Sequence, residues 1–207
     1  MAKKKLNLKN NYLLLVNKDN KLPCDYVPSN LVIVDENENN FRGYADANLK
    51  PMVDEIVLDA FMKLQKAALK EEYDFVICSG YRSYEYQQVI YDRIKEKQGE
   101  EYARKYVALP GASEHQSGLA IDICAFHDGV YSDDLTLEEI NWLKDNAYKF
   151  GFILRYPLGK EDITGYNYEP WHYRYIGLLA KTLYENNLTL EEYYLNKEVN
   201  GKIDSKK

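Results

Sequence analysis

Three histidines occur in the chain, and two of them, His115 and His172, stand in short segments that also carry carboxylates. The first segment reads Ser113-Glu114-His115-Gln116-Ser117-Gly118-Leu119-Ala120-Ile121-Asp122, and the second Glu169-Pro170-Trp171-His172-Tyr173. Two imidazoles and one carboxylate that leave a fourth position open form a catalytic zinc site, whereas a structural site closes all four positions with protein ligands. His115, Asp122 and His172 are the expected set, holding one ion. Asp122 lies between Ile121 and Ile123, where an unpaired carboxylate is costly to desolvate, so a metal or a basic partner such as an arginine is expected beside it. Water attacking a peptide carbonyl needs a base to take its proton, and Glu169 is the candidate. Strict alternation along an extended chain would put Glu169 and His172 on opposite faces, so this role needs a bend, which Pro170 permits. Arg82, in Ser79-Gly80-Tyr81-Arg82-Ser83, follows an apolar run at a glycine turn. Its planar fork suits a substrate carboxylate or a developing oxyanion, with a surface salt bridge as the alternative.

Two rival chemistries draw on neighbouring residues. Cys124, two positions from Asp122 on the same strand face, would close the fourth coordination position and make the site a structural zinc within a peptide-binding module. A thiol peptidase pairing a cysteine with His115 or His172 fits poorly, because no cysteine stands in a loop beside a base. Cys24, Cys78 and Cys124 are an odd set without paired spacing and read as free thiols, Cys78 as a small buried hydrophobe at the end of Phe75-Val76-Ile77-Cys78. His127, in Phe126-His127-Asp128-Gly129, reads as a surface residue.

The elements that must position these groups follow from the hydrophobic pattern. Tyr12 to Val16 reads as a strand, followed by an extended arm through Leu22-Pro23-Cys24-Asp25-Tyr26-Val27-Pro28. From Pro51, the recurrence of Val53, Ile56, Val57, Ala60, Phe61, Leu64, Ala67 and Ala68 predicts a helix with one buried face. Strands are expected at Phe75 to Cys78, Leu119 to Cys124 and Phe152 to Leu154, and a helix from Tyr84 to about Lys97. Thr136-Leu137-Glu138-Glu139 and Thr189-Leu190-Glu191-Glu192 have the form of capping boxes; the first opens a helix that Gly151 ends. A helix is expected from Ile176 to Glu185. After Pro170, alternation puts His172 and Arg174 on one face of a strand, away from Trp171, Tyr173 and Tyr175. Elements that do not strictly alternate favour an α+β fold with a small, mostly antiparallel sheet flanked by helices. The expected division is an extended arm over 1–50, a zinc peptidase core over 51–195 and a mobile polar tail over 196–207.

Composition narrows the function class. With 45% hydrophobic and 29% charged residues, the chain of 207 residues can bury a core. A formal charge of -6 offers no basic face for a phosphate backbone. No apolar run approaches the roughly 20 residues that span a bilayer, and Met1 to Asn11 lacks the apolar centre of a secretory signal. The chain as it stands is therefore expected in the cytoplasm, or at the cell envelope or outside the cell if an anchor preceded it. A monomer is expected.

Taken together, Ser79 to Ser83, Ser113 to Asp122 and Glu169-Pro170-Trp171-His172-Tyr173-Arg174-Tyr175 resemble the motifs of VanY-type D-alanyl-D-alanine carboxypeptidases. The resemblance runs from about Tyr12 through Tyr194. It implies the hedgehog/DD-peptidase fold, zinc on His115, Asp122 and His172, and Glu169 as the catalytic base. It also implies that Arg82, Gln87, Ser113, Tyr156 and Trp171 line the pocket for the D-amino acid end of a small peptide, such as a peptidoglycan precursor or muropeptide. Relatives of this kind include secreted wall-trimming enzymes, L,D-carboxypeptidases that trim tetrapeptide stems, and cytosolic VanXY-type enzymes. Tyr106-Val107-Ala108-Leu109-Pro110-Gly111 is similar to the cytosolic type, and Leu22 to Pro28 to the secreted one.

Overall fold

The apolar spacing after Pro51 produces helix α1, Glu55–Ala68, in the computed structural model, which describes residues 12–34, 50–127 and 130–204. The Asp54 side chain caps it by accepting the Ile56 N–H. Its buried residues Val57, Phe61, Leu64 and Ala68 join Phe75, Ile77, Ile121, Ile123 and Phe152 in the main core. Val53, read from the sequence as part of this helix, lies instead in a short strand.

That strand, β2 (Met52–Asp54), pairs antiparallel with β1 (Leu31–Ile33). The main sheet holds β3 (Phe75–Ser79), β4 (Ala120–His127), β5 (Val130–Ser132), β6 (Phe152–Leu154) and β7 (His172–Tyr175). Its order is β3-β4-β7-β6, with β5 also on β4, and every pairing is antiparallel. Around it lie α2 (Tyr84–Gln98), α3 (Glu100–Tyr106), α4 (Leu137–Asn146), α5 (Glu161–Thr164), α6 (Leu179–Glu185) and α7 (Leu190–Asp204). The fold is α+β, as expected. Both capping boxes form reciprocally: Thr136 with Glu139, and Thr189 with Glu192.

Four features depart from the sequence reading. Tyr12 to Val16 is not a strand; the carbonyls of Tyr12 and Leu14 accept from the Arg174 guanidinium instead of a ladder partner. Helix α3 and a 3-10 turn at Glu114–Ser117 had no periodic signal strong enough to reveal them. Helix α7 continues through Asp204, beyond the expected end of the core at 195. Cys78 and Cys124 are not free thiols but form a disulfide, with their Cα atoms 5.8 Å apart, and only Cys24 is free. The register of β3 on β4 shifts between Ile77 and Ser79, so Cys78 sits out of step with its ladder, which no spacing rule anticipates. Residues 1–11 and 35–49 of the expected arm, and 205–207 of the expected tail, lie outside the described residues.

A buried charge cluster ties the layers together. Glu114 Oε1 accepts from Arg155 Nε at 2.8 Å and from Arg174 Nη1 at 2.7 Å, with all three side chains fully buried. Arg155 also grips Glu191 at the start of α7, and Asn17 donates to the same carboxylate. Burial alone would raise the Glu114 carboxyl, but Arg155 and Arg174 hold it well below the ordinary carboxylate range. Removing one partner of such a cluster strands a buried charge. Arg155→Met should therefore cost about 3–5 kcal/mol of unfolding free energy, read from urea denaturation; a loss below 1 kcal/mol would mean that the cluster is not a keystone of the fold.

Candidate metal centre and substrate cavity

Asp122 sits opposite His172 in the β4–β7 register and opposite Ser79 in the β3–β4 register. The first pairing puts the carboxylate and one imidazole side by side. The second imidazole arrives from the 3-10 turn at Glu114–Ser117, which Gly118 ends in the left-handed region at φ 71°. His115 Nδ1 lies 2.7 Å from the Gly80 carbonyl. A carbonyl can only accept, so Nδ1 carries the proton and Nε2 keeps its lone pair. Gly80 must be glycine for this, because an added Cβ would collide with the Met52 carbonyl.

His115 Nε2 is buried, has no hydrogen-bond partner, and lies 3.3 Å from Asp122 Oδ1. His172 Nδ1 lies 3.1 Å from the same oxygen. The other nitrogen of that ring, Nε2, faces Glu114 Oε2 at 3.6 Å, the arrangement in which a carboxylate orients a metal-binding imidazole. One atom from each of His115, Asp122 and His172 falls within 4.8 Å of the others. Two nitrogen donors, one of them the buried and unpartnered His115 Nε2, and one carboxylate oxygen fit a zinc ion with an open position. Both sequence readings of Asp122 hold at once: Oδ1 faces the imidazoles, and Oδ2 accepts from Arg82 Nη2 at 2.9 Å.

The electrostatics follow from burial and close partners. Without a metal, burial and the Arg82 charge lower His115 to about 4, which leaves it neutral and ready to ligate. Burial also works against the His172 cation, but the Asp122 and Glu114 carboxylates beside the ring outweigh it and raise that group to about 9. Burial raises Glu169 to about 7. The bend demanded by the sequence exists: His172 N–H donates to the Glu169 carbonyl at 3.2 Å, closing a turn that brings Glu169 Oε2 to 3.8 Å from His172 Nδ1.

These groups open onto a cavity of about 140 Å³. Arg82, Gln87, Ser113, Tyr156, Trp171 and Glu169 all line it, so the structure brings every expected site residue to one place. Arg82 donates to Asp122, Gln87 and Ser79, and Gln87 in turn donates to the Ala108 carbonyl. Tyr166 and Glu114 also line the cavity, and the sequence reading missed both. Glu114 was visible as the residue before His115, but its partners lie 41 and 60 positions away. A second chamber of about 610 Å³ shares Arg82, Ile90, Asp122 and Trp171 with the first. The rival reading of Cys124 as a fourth ligand is corrected, since its sulfur is bonded to Cys78. His127 pairs with Glu139 at 2.7 Å and is partly exposed, apart from the metal-competent group.

Residues 50–178 match the family model VanY, D-alanyl-D-alanine carboxypeptidase. The chain belongs to the VanY family. It is 46% identical over 187 residues to the putative carboxypeptidase YodJ of Bacillus subtilis, a match covering 89% of this chain and about two thirds (67%) of YodJ. Among solved structures, the LD-carboxypeptidase LdcB superposes with a TM-score of 0.76 at 45% identity, covering 87% of this chain and 84% of LdcB. A variant of the vancomycin resistance D,D-pentapeptidase VanY, in complex with Zn(II), superposes with a TM-score of 0.74 at 37% identity, covering 88% of this chain and 98% of that one. In this VanY-family chain, His115, Asp122, Glu169 and His172 lie on β4, β7 and the turns before them.

Zinc titrated against a chelating dye should bind the wild type one to one, and His115→Ala should lose stoichiometric binding. Glu114→Gln should weaken zinc by about 10- to 100-fold, the usual cost of losing an orienting carboxylate. A double Cys78→Ser, Cys124→Ser variant should keep the metal; loss of zinc there would restore the sulfur-ligated alternative.

Proposed function

We propose that this VanY-family chain is a zinc-dependent carboxypeptidase that removes the terminal D-alanine of small peptidoglycan-type peptides. The observation that carries the reading is the convergence of His115 Nε2, His172 Nδ1 and Asp122 Oδ1 beside the largely enclosed carboxyl of Glu169, at the wall of a small cavity. The Zn(II) held by the related VanY pentapeptidase supports zinc as the metal. Bound there, zinc supplies Lewis acidity, which makes water a nucleophile near neutral pH and polarises a carbonyl.

In this reading Glu169 takes the proton of the attacking water and passes it to the leaving D-alanine amine. Its burial favours this, because a carboxyl raised to about 7 holds a transferred proton more readily than an exposed one. Arg82, fixed by Asp122, Gln87 and Ser79, presents positive charge to the oxygen that gains negative charge in the transition state. Gln87, Ser113, Tyr156 and Trp171 shape the small cavity around the terminal residue, and the adjoining chamber has room for the rest of the peptide. The similarity to LdcB, at 45% identity, favours a second reading in which the substrate is a tetrapeptide stem ending in a single D-alanine. The proposed state is a monomer with an arm over 1–50 and a core over 51–195, whose last helix, α7, runs on into the tail over 196–207. No helix among the described residues is long and apolar enough to cross a membrane.

Purified protein offered D-Ala-D-Ala, a pentapeptide ending in D-Ala-D-Ala and a tetrapeptide ending in D-Ala should release D-alanine from at least one, and a chelator should stop it. Glu169→Ala should retain zinc while kcat falls by about 10²- to 10⁴-fold. Near-normal turnover in that variant would remove Glu169 from the mechanism.

A further inference from the structure

Cys78 and Cys124 stand at the two ends of the stretch of chain that carries most of the metal centre. Arg82, Gln87, Ser113, Glu114, His115 and Asp122 all lie between them, within the 46 positions that their disulfide closes into a loop. The two sulfurs differ in their surroundings. Cys124 is 0% exposed, whereas Cys78 is half-buried and lines the larger chamber together with Ser79, Arg82 and Asp122. A disulfide opens when a thiolate attacks one of its sulfurs, so access decides which sulfur is attacked. We propose that Cys78 Sγ is a thiol-exchange site reached from the larger chamber, and that opening the disulfide releases Arg82 from its place while the metal ligands stay. The exchange site rests on this geometry alone; its effect on turnover rests on the carboxypeptidase reading.

The bond is connected to Arg82 through the backbone. In the β3–β4 ladder Ile77 pairs with Ile123 and Ser79 with Asp122, so Cys78 is an extra residue without a ladder partner. Such a bulge bends its strand and aims the side chains around it. The ladder leaves the bulge unpinned, and the bond to Cys124, two positions along β4 from Asp122, pins it. Directly after the bulge, Ser79 Oγ accepts from Arg82 Nε at 3.3 Å, and Asp122 Oδ2 accepts from Arg82 Nη2 at 2.9 Å. Two anchors of the guanidinium thus adjoin the two cysteines. The metal ligands have further supports: Asp122 pairs with His172 across β4 and β7, and the Gly80 carbonyl that accepts from His115 Nδ1 is followed by the Tyr81 N–H, which donates to the Met52 carbonyl at 2.6 Å.

The reductant is a dithiol. One of its sulfurs, as a thiolate, attacks Cys78 Sγ; a mixed disulfide forms there, and Cys124 leaves as a thiolate that takes up a proton. The second sulfur of the reductant then attacks the first, and Cys78 leaves as a thiol. Two electrons pass to the protein, and the dithiol ends as a disulfide. Cys78 and Cys124 therefore act as positioning residues for Arg82, with no part in the hydrolytic step.

The test uses the zinc-loaded full chain carrying Cys24→Ser, which removes the third cysteine. A monothiol, 2-mercaptoethanol, is added without denaturant, the remaining thiols are alkylated after acid quenching and unfolding, and the products are mapped by mass spectrometry. The proposal expects the mercaptoethanol adduct on Cys78 and the alkyl group on Cys124. The reverse pattern, or no adduct before unfolding, overturns the exchange site. Release of D-alanine and bound zinc are then measured at 25 °C before reduction, after reduction by a phosphine, which carries no thiol to compete for zinc, and after re-oxidation. Reduction should lower kcat/KM by about 10- to 100-fold, the cost of a misplaced positioning group, with zinc unchanged and activity restored by re-oxidation. It should also lower the melting temperature by about 5–15 °C, and far-UV circular dichroism at 25 °C should show both forms folded. The double Cys78→Ser, Cys124→Ser variant should match the reduced form and ignore the phosphine. Unchanged kcat/KM after complete reduction overturns the positioning role, and so does a fall in activity that follows loss of zinc. If the oxidised protein releases no D-alanine from any peptide, the carboxypeptidase reading fails, and the adduct map still decides the exchange site.

Discussion

The Asp122 carboxylate, largely enclosed in the central strand of the sheet, is the constraint on which the rest of the site depends. A lone carboxylate among Ile121, Ile123 and the strand backbone would be expelled or protonated. Here its two oxygens have separate duties: Oδ2 is neutralised by Arg82, and Oδ1 faces His115 and His172. Burial pushes its proton affinity up, but His115, His172 and Arg82 together pull it well below the ordinary range. The same residue therefore fixes Arg82, which faces the cavity, and both imidazoles of the group that could hold a metal.

Behind this site, Glu114 links the metal centre to the folding of the whole chain. One of its oxygens is held by Arg155 and Arg174, and the other faces His172 Nε2. Arg174 reaches the carbonyls of Tyr12 and Leu14, and Arg155 reaches Glu191 on α7. Segments from both ends of the described chain thus converge on the carboxylate that faces the His172 ring. Buried charges of this kind add little net stability when complete but leave costly orphans when broken. The imidazole is in this way tied to a cluster that tolerates only one arrangement.

Much of this was legible in the sequence because rare residue types marked it. His115, Asp122, His172 and Glu169 could be singled out because only three histidines exist and two stand beside carboxylates, and the motif resemblance supplied Gln87, Ser113, Tyr156 and Trp171. The capping boxes and the strand at Phe152 to Leu154 were read from local chemistry alone. What stayed hidden was set by distance. The Cys78–Cys124 disulfide joins residues 46 apart across an irregular ladder. Tyr12 to Val16 is as apolar as a strand, but its carbonyls are satisfied by a guanidinium 160 or more positions away. Tyr166 gives no signal in sequence, since only the packing of Tyr156 shows that its hydroxyl is buried and unpaired.

The most direct test of the central claim is X-ray absorption at the zinc edge of the zinc-loaded protein. The account predicts a shell of two imidazole nitrogens with carboxylate and solvent oxygens at about 2.0–2.2 Å and no sulfur. A zinc–sulfur distance of about 2.3 Å, or a shell without imidazole scattering, would contradict it.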